Sequence, residues 1–178
     1  MVNGGARERD IALAHPEFYL MHPSGVQAYL IVAGPEAPLE RVVDVRVYWG
    51  PTGTGKTHRV LHEDPHTYMV QPGRDPWGQY HGQAAICFDE FKDELWPIQS
   101  MNRFLDKWRL PLDRRYRDTF AAWTRVTICS NSSPLSWYPR EDLPIVQAFR
   151  RRIAGHVYRI TAQNQELQDA LDPECVDM

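Results

Sequence analysis

Lysine is scarce in this chain: only three of its twenty basic residues are lysine, and the other seventeen are arginine. That bias suits fork-like contacts to phosphates and carboxylates better than diffuse attraction. Long apolar runs are missing too. No stretch approaches the roughly 18 residues that a membrane span needs, and the first ten residues, MVNGGARERD, lack the apolar core of a secretory signal. Cysteine is limited to Cys87, Cys129 and Cys175, an odd count with no metal-type spacing. Two of the three sit inside apolar runs and read as buried free thiols in a reducing compartment. Basic residues are absent from 161–178, which carry five acids, whereas residues 103–125 carry seven basic side chains against three acids. The net charge of -3 argues against a general nucleic-acid coat and leaves a local basic patch open.

What is present is a chain of 178 residues with 43% apolar side chains, six Trp, eight Tyr and six Phe, enough for one compact domain and a small appendage. The pattern predicts helical segments at about 7–14 and 24–33, broken by His-Pro at 15–16 and 22–23, then a GPEAP linker. The expected division is a helical appendage over 1–40, a principal domain over 41–160 and an acidic tail over 161–178. Within the principal domain, DVRVYW (44–49), TYMV (67–70), AAICFD (84–89), VTICS (126–130) and GHVYRI (155–160) read as strands. Helices are expected from Gly55 to about His62, from Pro97 to Trp108, and over LPIVQAFRRRI, 143–153. The tail reads as a mobile extension with a short helix around 164–171. Strands alternating with helices, several of them continuously apolar, predict an α/β fold with a mostly parallel sheet covered on both faces.

The first apolar strand runs into GPTGTGKT, Gly50, Pro51, Thr52, Gly53, Thr54, Gly55, Lys56 and Thr57, which matches the phosphate loop of P-loop NTPases at every defined position. The glycines let the backbone turn tightly and aim N–H groups at phosphate oxygens, and the following helix adds its positive end. Lys56 is placed to reach the β- and γ-phosphates of ATP, and the Thr57 hydroxyl to ligate Mg2+. Thirty-three residues after Lys56 stands Asp89, at the end of ICFDEF. Asp89 is a candidate Mg2+ ligand and Glu90 a candidate base for the attacking water. Asn131, ending VTICSN, is a candidate contact to the γ-phosphate or the hydrolytic water. Ser130 is as readily a turn cap as a contributor.

These elements, in this order and spacing, resemble the superfamily 3 helicase domain, an AAA+-like ATPase, of replication initiator (Rep) proteins of circular single-stranded DNA viruses, especially circoviruses and circo-like relatives. WGQYHG (77–82), FLDKWRLPL (104–112), SNSSPLSWY (130–138) and LPIVQAFRRRI (143–153) add to the likeness, as does HPEFYLMHPSGVQAYL before the domain. The resemblance spans residues 15–160. It implies a homo-oligomeric ring, typically a hexamer, with ATP at subunit interfaces and hydrolysis driving translocation on single-stranded DNA in rolling-circle replication. It also implies a host nucleus as the compartment. Lys56 and Thr57 then look like the phosphate and Mg2+ ligands, Asp89 and Glu90 like the Walker B pair, and Asn131 like the polar sensor. The arginine finger, offered to the neighbouring subunit, falls in Arg150-Arg151-Arg152, and the family's paired arginines align best with Arg151 and Arg152. Residues 1–40 resemble the helical oligomerisation segment of the family.

Three departures stand out. Asp89-Glu90 replaces a common Asp-Asp, a change that suits a catalytic base. The Lys-Gly-Gly of the family's DNA hairpin is replaced by DRRYRDTF, 113–120, where Arg114, Arg115 and Arg117 are candidate phosphate contacts and Tyr116 a candidate base-stacking residue. No His-hydrophobe-His metal motif precedes the phosphate loop, so the chain is expected to lack the nickase half and to be the helicase portion of a longer protein or a truncated homologue. Two other readings stay open: a nucleotide or small-molecule kinase, and a non-hydrolysing oligomerisation and DNA-binding module.

Overall fold

A computed structural model describes residues 8–26, 38–113, 119–161 and 166–168. The chain divides into two compact units, Met1–Ala37 and Pro38–Met178. In the first, α1 (Glu8–Ala14) and α2 (Pro16–Met21) are followed by helical backbone at 23–26. Each His-Pro pair interrupts the helical backbone at its histidine, as expected, and its proline then starts the next helix. Proline fits the first helical position because its missing N–H has no intrahelical acceptor there, and PEFYLM is a helix that the sequence pattern missed. Residues 27–33 of the expected second helix lie outside the described residues.

The second unit is built on a six-stranded sheet: β1 (Asp44–Trp49), β2 (Tyr68–Val70), β3 (Ala85–Phe88), β6 (Arg125–Ser130), β7 (Val157–Ile160) and β8 (Glu166–Gln168), ordered β2-β3-β6-β1-β7-β8. The first five strands are parallel and β8 runs antiparallel to β7. The helix expected in the acidic tail is thus corrected: 166–168 add an edge strand, whose pairing with the backbone of β7 overrides a weak helical preference. Between β3 and β6, β4 (Pro111–Leu112) and β5 (Thr119–Phe120) pair antiparallel as a two-stranded hairpin.

Burial on both faces explains the continuously apolar strands. One face carries Val45, Val47, Ile86, Phe88, Val126, Ile128 and Val157 against α4 (Ile98–Phe104) and α5 (Leu143–Ile153). The other carries Tyr48, Cys87, Cys129 and Ile160 against Val60 of α3 (Lys56–Glu63). An aromatic cluster closes the first face, with Trp77 stacked on the fully buried Trp123 at 4.9 Å. Helix α4 ends at Phe104 and not at Trp108. Leu105 caps it while Asp106 turns the chain toward the hairpin, its carboxylate accepting the Lys107 N–H at 2.8 Å. Cys87 and Cys129 are free and buried, with Sγ atoms 4.0 Å apart. That hydrogen bond, with burial, pushes the Cys87 thiol well above its ordinary range. The architecture is that of a P-loop NTPase with an AAA+-like sheet. Among the described residues, no helix is long and apolar enough to cross a membrane.

Candidate functional site

In a parallel sheet, the loops at the carboxyl ends of the strands converge on one edge, and ligands of such folds bind there. The register fixes which residues meet: Trp49 of β1 pairs with Ser130 of β6, and Phe88 of β3 with Ile128. Gly50, Asp89 and Asn131 therefore leave adjacent strands at neighbouring levels. Two bonds stitch this edge, Gly50 N–H to Ser130 O at 3.1 Å and Phe91 N–H to Cys129 O at 2.7 Å. The Ser130 hydroxyl is buried and donates to Phe91 O at 2.9 Å, so it holds the edge together.

The loop itself needs its glycines. Gly50 has φ +145°, and a Cβ there would lie 2.1 Å from Ile160 O on the next strand. Gly55 is the N-cap of α3 with φ 84°, a left-handed turn that glycine adopts without steric cost. The first backbone bond into the helix runs from Arg59 N–H to Gly55 O at 2.9 Å, which leaves the earlier amides of the turn without intrahelical acceptors. The Thr54 hydroxyl donates to Pro51 O at 2.9 Å and closes the loop on itself.

Lys56 is buried beneath this loop. Its Nζ donates to Gly50 O at 2.9 Å, Pro51 O at 2.8 Å and Asn131 Oδ1 at 3.0 Å. Burial pulls its ammonium below the ordinary lysine value, against the raising effect of Cys129 and Asp89 nearby. The Thr57 hydroxyl lies 2.9 Å and 3.1 Å from the two Asp89 oxygens. Asp89 Oδ1 also accepts the Glu90 N–H at 3.0 Å. Glu90 is exposed and has φ 48°, a backbone region that non-glycine residues visit rarely. Lys56 with Asn131 and Thr57 with Asp89 are thus two bonded pairs carried by consecutive residues of α3, and Glu90 is bonded to Asp89.

The arginines of α5 diverge, as three adjacent positions on a helix must. Arg152 turns inward: it donates to Asp106 Oδ2 at 2.7 Å, Ala148 O at 2.8 Å and Asn102 Oδ1 at 3.4 Å. Arg150 donates to Leu135 O at 3.3 Å. Arg151 is exposed and makes no ion pair among the described residues. Arg114, Arg115, Tyr116 and Arg117 lie outside the described residues, between the two short strands of the hairpin.

Two residues that sequence reasoning passed over organise this region. Asp106 joins α5 to the hairpin's approach through Arg152, and the buried Arg41 donates to Asp106 O, Trp108 O and Trp123 O at 3.0–3.3 Å. The FLDKWRLPL motif contains Asp106, but its partner lies 46 residues away and nothing local announces it. For Arg41, no local signal marks a buried guanidinium.

Hard oxygen donors from Thr57 and Asp89, side by side at the start of a helix, fit a divalent cation shared with a phosphate. Among the described residues no group of three or more His, Cys, Asp or Glu side chains is placed to hold a metal ion. A magnesium ion held by one or two protein oxygens plus phosphates needs none.

The sequence is similar to the "Replication-associated protein" of porcine circovirus 2, with 28% identity over 172 residues covering 93% of this chain and 54% of that protein. Similarity to the protein of the same name from beak and feather disease virus is 30% over 172 residues, covering 96% and 57%. The canary circovirus protein gives 27%, covering 96% and 57%. The chain is homologous to circovirus replication-associated proteins. This supports its assignment to the Rep family. It spans about half the length of the curated relatives it matches. No family model matches the sequence.

Proposed function

We propose that the chain is the ATP-hydrolysing helicase module of a rolling-circle replication initiator, working as a ring on single-stranded DNA. The observation that carries this reading is the meeting of Lys56, Thr57, Asp89 and Asn131 at one sheet edge, from a phosphate loop and two other strand ends. A glycine-rich turn of chance origin would not bring a hydroxyl, a carboxylate and an amide to the same loop. Homology to replication-associated proteins supports the biological setting.

In this reading the free amides of Gly53 to Thr57 cradle the β- and γ-phosphates, and Lys56 exchanges its carbonyl partners for phosphate oxygens. Thr57 and Asp89 would hold Mg2+, which when bound would supply neutralisation of the phosphate charge. Glu90 accepts the proton of the attacking water and Asn131 orients that water or the γ-phosphate. Catalysis is then positioning and electrostatic stabilisation of phosphoryl transfer to water. Arg151 is the finger offered to a neighbour's nucleotide, and Arg152 positions it by anchoring α5 to Asp106. Residues 1–40 supply oligomer contacts, and Arg114, Arg115, Tyr116 and Arg117 meet the DNA strand.

The test is steady-state ATP turnover with and without single-stranded DNA, on species separated by native mass. Turnover confined to rings and stimulated by DNA is expected. Equal turnover in monomers, indifferent to DNA, points to a kinase seeking an acceptor. DNA binding with no turnover at all points to a non-hydrolysing module.

A further inference from the structure

Among the described residues, Glu90 and Tyr138 are the two that carry a side chain on backbone of positive φ, 48° and 59°. They stand on the two segments that leave the phosphate edge, one after β3 and the other after β6. Such backbone persists only where its surroundings over-determine it. What over-determines Glu90 is its neighbour Phe91. The Phe91 N–H donates to Cys129 O at 2.7 Å, and its carbonyl accepts from the buried Ser130 hydroxyl at 2.9 Å. Its ring is buried with its centroid 4.6 Å from that of Trp137. On the other side, the Glu90 N–H is fixed by Asp89.

The Ser130 hydroxyl is itself held. Its Oγ lies 3.2 Å from Ser132 Oγ, which accepts the Trp137 Nε1–H at 2.9 Å. A hydroxyl has one proton to give. Ser130 gives its proton to Phe91 O, so the Ser132 hydroxyl donates to Ser130. The bonds therefore run in one direction, from the Trp137 indole through Ser132 and Ser130 to the Phe91 carbonyl. Tyr138 closes the same seam further out, its N–H donating to Asp93 Oδ2 at 2.9 Å and its hydroxyl to Trp96 O at 2.7 Å.

From this geometry we infer that Ser130 is a positioning residue for Glu90, fixing through Phe91 the left-handed turn that sets where the Glu90 carboxylate stands. The inference rests on the reading of Glu90 as the base for the attacking water. Ser130 is 1% exposed, so it acts through Phe91 and not by touching a ligand. A serine that only satisfied its own hydroxyl could bond within its own turn. This one reaches a carbonyl 39 residues away, on the residue that directly follows the strained one. Asn131 follows Ser130 in the chain, so one seam holds both Glu90 and Asn131 in a common frame.

The experiment is a double-mutant cycle in ATP turnover by the whole chain with single-stranded DNA, run beside binding of a fluorescent ATP analogue and urea unfolding. Ser130→Ala is expected to lower kcat roughly ten- to a hundredfold, the scale of loss when a catalytic group is displaced by about 1 Å. Affinity for the analogue should stay unchanged. In a Glu90→Gln background the same substitution should alter the remaining turnover by less than about twofold, because the group it positions is already gone. Its effect on urea stability should be equal in both backgrounds. Ser132→Ala, at an exposed position, removes the donor to Ser130 without opening the core. It should lower kcat by a smaller factor, and it carries the cycle if Ser130→Ala does not fold. A loss as large in the Glu90→Gln background as in the parent would overturn the inference, and so would an unchanged kcat in the serine variants. If Glu90→Gln alone turns over like the parent, the assignment of the base fails first and the positioning role falls with it.

Discussion

Lys56 and Asn131, 75 residues apart in sequence, share a hydrogen bond of 3.0 Å between ammonium and amide oxygen. One side chain rises from the loop after β1 and the other ends β6, so the bond ties the phosphate loop to the strand beside it. In the proposed reading, the same ammonium that satisfies Gly50 O and Pro51 O also meets phosphate. On that reading nucleotide binding exchanges partners at this point and releases Asn131 to face the reacting end. Asn131→Ala is expected to lower turnover about a hundredfold, the usual loss for one preorganised polar contact, while ATP affinity changes little. Lys56→Ala should lose affinity itself. Titration with a fluorescent nucleotide, set beside turnover, separates the two.

Glu90 is held at φ 48° by the turn that follows β3, and its N–H donates to Asp89. Glu90→Gln retains that N–H and the shape of the side chain but cannot accept a proton from water. Turnover should fall by a factor on the order of 10² to 10⁴, as expected for loss of a general base, with nucleotide binding intact. Preserved turnover in the variant would move the base elsewhere. Equilibrium nucleotide binding and a phosphate-release assay give the two readings.

Arg152 and Asp106 form a half-buried ion pair, so Arg152→Ala should destabilise the chain by about 1–2 kcal/mol through the lost charged hydrogen bonds. Arg151→Ala should leave stability unchanged and remove turnover in oligomers. The pair also sets a pH dependence. Burial raises the Asp106 carboxyl, but the hydrogen bond from Arg152, the Lys107 N–H and the two nearby cations outweigh it and hold it below the ordinary carboxylate value. Its stabilising share is present above the unfolded carboxylate value and is lost as pH falls through the lower folded value. Urea unfolding across the acid range should show the Arg152→Ala penalty at neutral pH and its decrease as pH falls through the range in which the folded Asp106 carboxylate takes up a proton.

Gly50→Ala tests the packing of the loop against β7. The added Cβ would meet Ile160 O at 2.1 Å on backbone with φ +145°. Because a backbone carbonyl cannot step aside cheaply, stability should fall by more than about 2 kcal/mol. Gly53→Ala meets nothing within 4 Å but keeps φ +81°, so its cost should be smaller and confined to the loop. Thermal unfolding of the two variants checks the order.

The sheet was legible because β3 and β6 are apolar runs bounded by turn residues, and VTICS and the AICF of AAICFD are buried on both faces as such runs require. The phosphate loop was legible because its spacing encodes a backbone shape. The helix start at Pro16 was not, since proline signals both the end of one segment and the first turn of the next. The stop at Phe104 was hidden for a different reason. Trp108 continues the helical period of α4, yet the chain turns at Asp106 because Arg152 and Arg41 draw it toward α5 and the Trp123 carbonyl. Contacts 46 and 65 residues away leave no local trace. The edge strand at 166–168 was hidden likewise, its conformation being set by the backbone of β7.

The most direct test of a nucleotide site completed by a neighbour is subunit mixing. Glu90→Gln rings and Arg151→Ala rings would each be assayed for ATP turnover and then mixed in equal amounts and reassembled. Each alone should be inactive, and mixed rings should recover about a quarter of the parent rate, the share of interfaces in a cyclic ring that pair two intact halves. Mixed rings that form but stay inactive, or Arg151→Ala rings that turn over like the parent, would contradict a site shared between subunits.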